Sequence, residues 1–237
     1  MSEQALHSPT VDELLIHPKS FERRDFSSYL FRPFSIKERR EISLYTPAMY
    51  VLWLRLESDP EVSRFNTEVT PLPISIGRAG AINAAPRCVS VASSGIVTIH
   101  TFEKIVAPDE VPKPDEITAL FWGEWANARG FLHKPWRADD LFFNEVHLGN
   151  LGRLLGYTSR PGFVPNIELE KKILSELRGF RRTTFAKLAQ QFPATDPELV
   201  NESIASLIVS RKLFSDIESQ PFSMVTMLSA YRDVDEN

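Results

Sequence analysis

The apolar pattern between positions 46 and 60 predicts a helix, because apolar residues recur there every three or four positions. Thr46 is a good cap for the first turn, and Pro47 suits the first helical position. The helix is expected to end before Pro60, since a residue that precedes proline avoids the helical conformation. The apolar stripe consists of Met49, Leu52, Trp53 and Leu56.

Alternating apolar and polar positions then predict strands at 62–65, 69–76, 87–92 and 96–102. Ser-Ser-Gly at 93–95 is a hairpin signal that joins the last two strands. Residues 77–86 and 107–116 hold clusters of glycine, alanine, proline or acids and are predicted to be loops. A second helix is predicted at 117–129. Its buried stripe consists of Leu120, Phe121 and Trp125.

The last third of the chain has the order of a winged helix, which is three amphipathic helices followed by a hairpin. The helices are predicted at 169–177, 185–192 and 197–208, and the strands at 212–217 and 224–228. Thr183 or Thr184 caps the second helix, and Asp196 followed by Pro197 starts the third. The third helix of such domains often lies in the DNA major groove. Its exposed face is predicted to carry Glu198, Asn201, Glu202, Ser203 and Ser206. That acidic face matches phosphates poorly, so protein docking and DNA contact both stay open.

The composition is that of a globular protein with one large or two small domains. The 237 residues are 43% hydrophobic and 24% charged, which is enough to bury a core without disulfides. A formal net charge of -4 excludes a global basic signature for nucleic acid. The single cysteine, Cys88, excludes a disulfide framework and a cysteine-rich zinc site. The chain shows no signal peptide and no apolar run of membrane length, which predicts a cytoplasmic protein without a membrane partner.

Residues 19–40 form a basic arm, with seven lysines and arginines against three acids and with aromatic residues between them. Aromatic side chains among cations suit a phosphate backbone with stacked bases. They equally suit a solvated arm whose aromatic residues pack on the main body. Further cations flank the third helix of the predicted winged helix. The predicted nucleic-acid-binding residues are Arg23, Arg24, Arg39, Arg40, Arg181, Arg182, Arg211 and Lys212.

The order of these parts resembles the TnsA-type endonuclease of heteromeric transposases, over residues 43–228. The phrase Leu-Glu-Ser-Asp-Pro-Glu-Val-Ser-Arg-Phe at 56–65 is similar to the family's stretch from the catalytic helix to the first strand. Glu68 falls where the family often has glutamine. The resemblance implies an α/β fold, with a restriction-endonuclease-like mixed sheet and flanking helices followed by a C-terminal winged helix. The expected domains are a partly ordered basic arm at 1–40, a nuclease-like core at 41–160 and a winged-helix domain at 161–237.

The resemblance also implies a divalent metal held by an acidic helix residue, an aspartate after proline, and a Glu/Gln-x-Lys pair on the next strand. Such a metal activates water and neutralises phosphate. In this chain the helix acid falls on Met49, and the aspartate falls on Arg87. The strand pair falls on His100 and Phe102. An arginine would repel the cation, so a degenerate site without metal or cofactor is expected.

These residues predict a non-catalytic, DNA-associated or assembly subunit of a transposase-like complex. The resemblance implies DNA, a transposase and an ATPase regulator as partners. One alternative is an active Mg²⁺ endonuclease with displaced residues. Its fallback residues are Glu57, Asp59, Glu68, Glu103 and Lys104. A further alternative is a transcriptional regulator that uses the winged helix, which would need an exposed basic third helix.

The remaining candidate groups have simpler explanations. The three histidines His100, His133 and His147 lack the spacing of metal ligands. Asp139 is predicted to cap a short helix rather than to join a carboxylate cluster with Asp140 and Glu145. No phosphate-binding loop, dinucleotide fingerprint or serine hydrolase motif is present.

Overall fold

The computed structural model describes residues 9–16, 30–75, 81–103, 114–180 and 182–230. Its helices are α1 (Val11–Leu15), α2 (Pro47–Ser58), α3 (Pro114–Asn127), α4 (Ala138–Leu141), α5 (Glu145–Thr158), α6 (Ile167–Leu177), α7 (Phe185–Ala189) and α8 (Pro197–Val209). Its strands are β1 (Phe34–Ser35), β2 (Arg40–Glu41), β3 (Val62–Asn66), β4 (Leu72–Ser75), β5 (Ala81–Ala84), β6 (Cys88–Ala92), β7 (Val97–Phe102), β8 (Leu132–Trp136), β9 (Thr183–Thr184), β10 (Leu213–Ser215) and β11 (Met227–Ala230). Each helix of the described residues is too short or too polar to cross a bilayer.

The chain divides into two compact units whose segments alternate along the sequence. Unit 1 takes its described residues from Met1–Arg32, Ile42–Leu52 and Glu61–Phe143. Unit 2 takes them from Pro33–Glu41, Trp53–Pro60 and Asn144–Asn237. The boundaries differ from the predicted domain ranges because the β1–β2 hairpin, the end of α2 and all of α5 belong to unit 2.

Unit 1 contains a mixed four-stranded sheet in the order β3-β6-β7-β8. The first three strands pair antiparallel, and β8 pairs parallel to β7 after the helical crossover through α3. The predicted hairpin at 93–95 is confirmed, and Gly95 adopts the positive φ of 85° that this turn requires. Trp122 and Trp125 of α3 pack with Val89 and Ile99 of the sheet, so one face of the sheet is buried by the helix. The coarser part of the predicted fold class, a mixed α/β protein with a mixed sheet and flanking helices, is thus confirmed.

Two strands of unit 1 differ from the prediction. Residues 81–84, which were predicted to be loop, form β5 and pair antiparallel with β4. Strand β8 was not predicted at all, because its side chains are mostly exposed and include Lys134 and Pro135. A proline is tolerated there since β8 is an edge strand that pairs on one side only. Both strands form because their backbones pair with other strands, and a local apolar pattern does not reveal such pairing.

The predicted start of α2 is confirmed, because the Thr46 hydroxyl accepts a hydrogen bond from the Met49 amide at 3.2 Å. The β1–β2 hairpin is bound to the C-terminal part of α2 by hydrogen bonds to the buried carboxylate of Glu57. Ser35 Oγ and the Ile36 amide donate to that carboxylate at 2.7 and 2.9 Å. Lys37 Nζ in turn donates to the Leu56 carbonyl at 2.6 Å, which places a cation at the end of the helix dipole.

Unit 2 is built from α5 to α8 and a three-stranded antiparallel sheet in the order β10-β11-β9. Thr184 and Asp196 cap α7 and α8, as predicted. The core contains Leu154 of α5 together with apolar residues of α6, α7 and α8. The buried Asn150 side chain donates to the Ile217 carbonyl and accepts from the Phe222 amide, both at 2.7 Å. Helix α5 is therefore part of this unit, although the sequence had assigned it to the nuclease-like core.

Removing the charge of Glu57 is expected to destabilise the protein. Glu57→Gln removes the buried charge that accepts hydrogen bonds from Ser35 Oγ and the Ile36 and Lys37 amides, so we expect a loss of about 2 kcal/mol in the free energy of unfolding. Chemical denaturation at neutral pH measures it. The matched control is Glu41→Gln, which makes the same change at an exposed acid of the same hairpin. Equal losses in both variants would contradict this role of Glu57.

Candidate functional site

The sequence positions that the resemblance assigns to catalysis on strands lie side by side in unit 1. Cys88 of β6 pairs with His100 of β7, so Arg87, His100 and Phe102 occupy neighbouring ends of these two strands. The Arg87 amide donates to the His100 carbonyl at 2.9 Å. The Arg87 guanidinium lies 5.9 Å from the centre of the Phe102 ring, a cation–π separation. A cation and an aromatic ring therefore meet where metal-holding groups were implied.

His100 is a buried structural residue that uses both ring nitrogens. Trp136 Nε1 of β8 donates to His100 Nδ1 at 3.0 Å, so Nδ1 carries no proton. Nε2 lies 2.7 Å from Ser90 Oγ of β6 and is the nitrogen that carries the proton and donates. Burial, aided by the charges of Lys134 and His133, lowers the pKa of His100 to about 3. A neutral imidazole fixed between three strands has no lone pair left for a ligand.

Met49 lies in the first turn of α2 and is half-buried, which is less than the buried position expected for it. Its thioether carries no charge, so it cannot supply the carboxylate that the implied metal site needs at this position.

Two of the fallback acids are buried. Glu57 is buried and accepts three hydrogen bonds from the β1–β2 hairpin, and burial raises its pKa. Glu68 is also buried, and its amide donates to the Asn66 side chain at 2.8 Å. Both acids are thus held within the fold.

The other fallback residues belong to different parts of the fold, since Asp59 lies in unit 2 and Glu103 in unit 1. Asp59 is half-buried at the end of α2, and Glu103 is exposed just after β7. Lys104 lies outside the described residues. No group of three or more histidine, cysteine or acidic side chains that could hold a metal occurs in the described ranges.

The remaining histidines and Asp139 have local explanations. His133 Nε2 lies 2.9 Å from Thr101 Oγ1, and burial lowers the pKa of His133. Burial also lowers the pKa of His147, against the raising effect of Glu218. The predicted capping role of Asp139 is wrong, because α4 begins one residue earlier and Arg137 is at the N-cap. Asp139 lies in the first turn, where its charge favours the helix dipole.

The predicted nucleic-acid-binding cations fall partly outside the described residues, namely Arg23, Arg24 and Arg181. Within unit 2, Arg39 and Arg211 both have a positive φ, of 54° and 56°, on two separate turns. Burial is the main reason that the pKa of Lys37 falls to about 8, and the charge of Arg211 acts in the same direction, against the raising effect of Glu57 and Asp59.

The other described cations are less free. Arg40 Nη1 donates to the Glu41 carbonyl at 3.3 Å. Lys212 Nζ lies 3.5 Å from the buried carboxylate of Glu170. This ion pair within unit 2 partly neutralises the charge of Lys212. Arg182 is exposed beside β9.

Helix α8 presents less polar surface than the sequence predicted. Ser203 was placed on the exposed face but is only 3% exposed, because α8 is packed over most of its circumference. Ser206 Oγ donates to the Glu170 carboxylate at 2.7 Å, and Glu202 forms an ion pair with Arg160. Glu198 and Leu199 are exposed. This helix therefore offers neither a basic face nor a row of free polar side chains.

No model of a known protein family matches the chain, and comparison with curated proteins gave no match.

The His100 arrangement makes the stability of unit 1 depend on pH. Because its pKa is about 3 when folded and 6.5 ordinarily, the unfolded chain binds one proton more between these values. Stability should thus fall as pH falls through this window, by about 1.4 kcal/mol per pH unit. His100→Gln can still donate to Ser90 and accept from Trp136 but does not titrate. Denaturation at several pH values should show the wild-type advantage over this variant shrinking below pH 6.5, and a constant difference would exclude a neutral buried His100.

Proposed function

We propose that this protein is a non-catalytic, DNA-associated or assembly subunit of a TnsA-like DNA-transaction complex in the cytoplasm. The observation that carries the proposal is the meeting of Arg87, His100 and Phe102 on paired strands. These are the strand positions that the resemblance assigns to metal binding and catalysis. The Arg87 guanidinium would repel a divalent cation, and the neutral, buried His100 imidazole would not attract one. The partners in this proposal are DNA, a transposase and an ATPase regulator.

The backbone supports the same interpretation. In unit 1 a helix precedes three antiparallel strands, and a helical crossover leads to a parallel fourth strand. That order supports a restriction-endonuclease-like core. In unit 2 the order α6-β9-α7-α8-β10-β11 supports a winged helix, with α5 added to its core.

The two alternatives receive less support. An active endonuclease needs carboxylates free to hold Mg²⁺, whereas Glu57 is buried and occupied by three donors. A regulator that reads bases needs an exposed basic third helix, whereas α8 has a buried Ser203 and an acidic end. Contacts from the cations around α8 and from the basic arm, made mainly to phosphates, suit the proposed subunit better.

The first test concerns cleavage. Purified protein is expected not to cut supercoiled or linear DNA with Mg²⁺ or Mn²⁺, because Arg87 occupies the position of the implied metal-binding aspartate. Agarose gels of plasmid incubated with each metal measure this. Glu103→Ala and Lys104→Ala proteins, purified in parallel, reveal any contaminating nuclease, since a contaminant cuts in every preparation. Metal-dependent cleavage by the wild type that either substitution abolishes would overturn the proposal.

The second test concerns duplex binding. Affinity should fall steeply with salt and depend little on sequence, because cations that bind phosphates release counterions. Replacing Arg23, Arg24, Arg39 and Arg40 with glutamate should reduce the slope of log affinity against log salt by about one for every phosphate left without its cation. Gel-shift titrations at two salt concentrations measure it.

Two controls sharpen the duplex measurement. Replacing Lys171 and Lys172 of α6 with glutamate changes charge on an exposed helix outside the proposed surface and should matter less than replacing Arg39 and Arg40. Asn201→Ala should also have little effect. A sequence preference that disappears with Asn201→Ala would instead mean that α8 reads bases.

A further inference from the structure

Unit 2 holds a basic cleft that shares no residue with the degenerate strand positions of unit 1. It has a volume of about 400 Å³ and lies between the chain before β9, the end of α7, and β11. Its principal lining residues are Phe180, Arg182, Lys187, Gln190, Gln191 and Met227. The pairing of Met227 with Thr184 fixes β11 against the start of α7, so the walls come from one folded unit.

The chemistry of this cleft favours an anion that carries a flat apolar part. Arg182 and Lys187 are both exposed cations, and the described residues that line the cleft include no carboxylate to neutralise them. Phe180 is 39% exposed, so part of its ring is open to a ligand. Met227 adds a polarisable apolar surface beside it. The Gln190 and Gln191 amides supply both donors and acceptors.

We propose that this cleft binds a nucleotide, with its phosphate on Arg182 and Lys187 and its base against Phe180. Cations along a groove with an aromatic platform are the usual means of holding single-stranded nucleic acid. The volume lies within the range of small-ligand sites and suits one nucleotide unit rather than a duplex. An acidic peptide could pair with the two cations and the two amides, but its acidic side chains would offer no flat ring to the exposed Phe180.

The choice of a nucleotide within a DNA strand as the ligand rests on the proposed function, since a DNA-associated subunit contacts such strands. The same chemistry is also present in a free nucleotide. The two sources are distinguished by comparing thymidine 5′-monophosphate with a short fluorescent oligodeoxythymidylate, each titrated against the full chain and followed by calorimetry or anisotropy.

The variants separate phosphate contact from base contact. Arg182→Glu and Lys187→Glu should each weaken oligonucleotide binding about tenfold. Phe180→Ala should weaken it too, whereas Phe180→Trp should retain it because the stacking surface remains. Lys172→Glu makes the same charge change on α6 outside the cleft and should have no comparable effect. Thermal unfolding of each variant verifies folding, and Lys187→Gln serves where the reversal disturbs it.

The expected competition order is thymidine 5′-monophosphate ahead of both thymidine and inorganic phosphate. Tight binding of the free mononucleotide identifies a nucleotide site, and binding of the oligonucleotide alone identifies a strand site. Equal weakening by Lys172→Glu and Lys187→Glu would overturn the proposal. So would an unaffected Phe180→Ala variant with phosphate competing as well as the nucleotide, or a phosphopeptide that displaces the oligonucleotide more effectively.

Duplex binding keeps the two proposals apart. If the cleft variants bind oligonucleotide as the wild type does while replacement of Arg39 and Arg40 still weakens duplex binding, only the nucleotide cleft fails. If duplex binding is absent while the cleft variants still bind oligonucleotide more weakly, only the proposed duplex association fails.

Discussion

The sheet of unit 1 depends on one buried imidazole. His100 lies on β7 and links Ser90 on β6 to Trp136 on β8, so one side chain spans three adjacent strands. The link works only with the neutral tautomer that accepts at Nδ1 and donates at Nε2. A register shift of one residue would turn His100 to the other face and leave the buried Trp136 donor without its acceptor, at a cost of about 1–3 kcal/mol. The hydrogen bonds therefore select both the register and the protonation state.

The same residue connects the fold to the proposed loss of chemistry. On the resemblance, His100 occupies a position that should present a polar group to a metal, and here that position secures a parallel edge strand instead. Arg87 next to it keeps its charge outside, over the Phe102 ring. A charged group without a partner is expensive to bury, whereas an exposed guanidinium on an aromatic face is not. The three side chains at these positions therefore include no carboxylate that could hold a divalent cation.

Much of the secondary structure was predictable because its signals are local. The Thr46 cap and the glycine turn at 95 come from neighbouring residues, as do the caps Thr184 and Asp196. Strands β5 and β8 were missed, since pairing with distant strands stabilises them and their own sequences do not alternate. The burial of Ser203 was missed for a related reason. Helix α5 packs against α8 in unit 2, and the sequence does not reveal this contact between helices that are far apart along the chain.

The candidate site was predictable only as a set of positions. Spacing and resemblance pointed to Arg87, His100 and Phe102, and the strand pairing brings these three together. The partners of His100 could not be predicted, since Trp136 is 36 residues away on a strand without a sequence signal. The cleft beside β9 was equally hidden. Arg182 was identified as a cation, but its neighbours Gln190 and Met227 come from a helix end and a strand that only the fold joins.

Two arginines with a positive φ show how local hydrogen bonds offset backbone strain in unit 2. A residue with a β-carbon costs about 1 kcal/mol in this backbone region, and glycine would relieve that cost. Arg39 and Arg211 nevertheless occupy such positions, and the end of α8 explains the conformation of Arg211. The Arg211 amide donates to the Ile208 carbonyl at 3.0 Å and the Lys212 amide to the Leu207 carbonyl at 2.9 Å, which is the pattern of a left-handed helix cap. These hydrogen bonds satisfy carbonyls that the last turn of a helix leaves without partners, so they offset the cost of the left-handed residue.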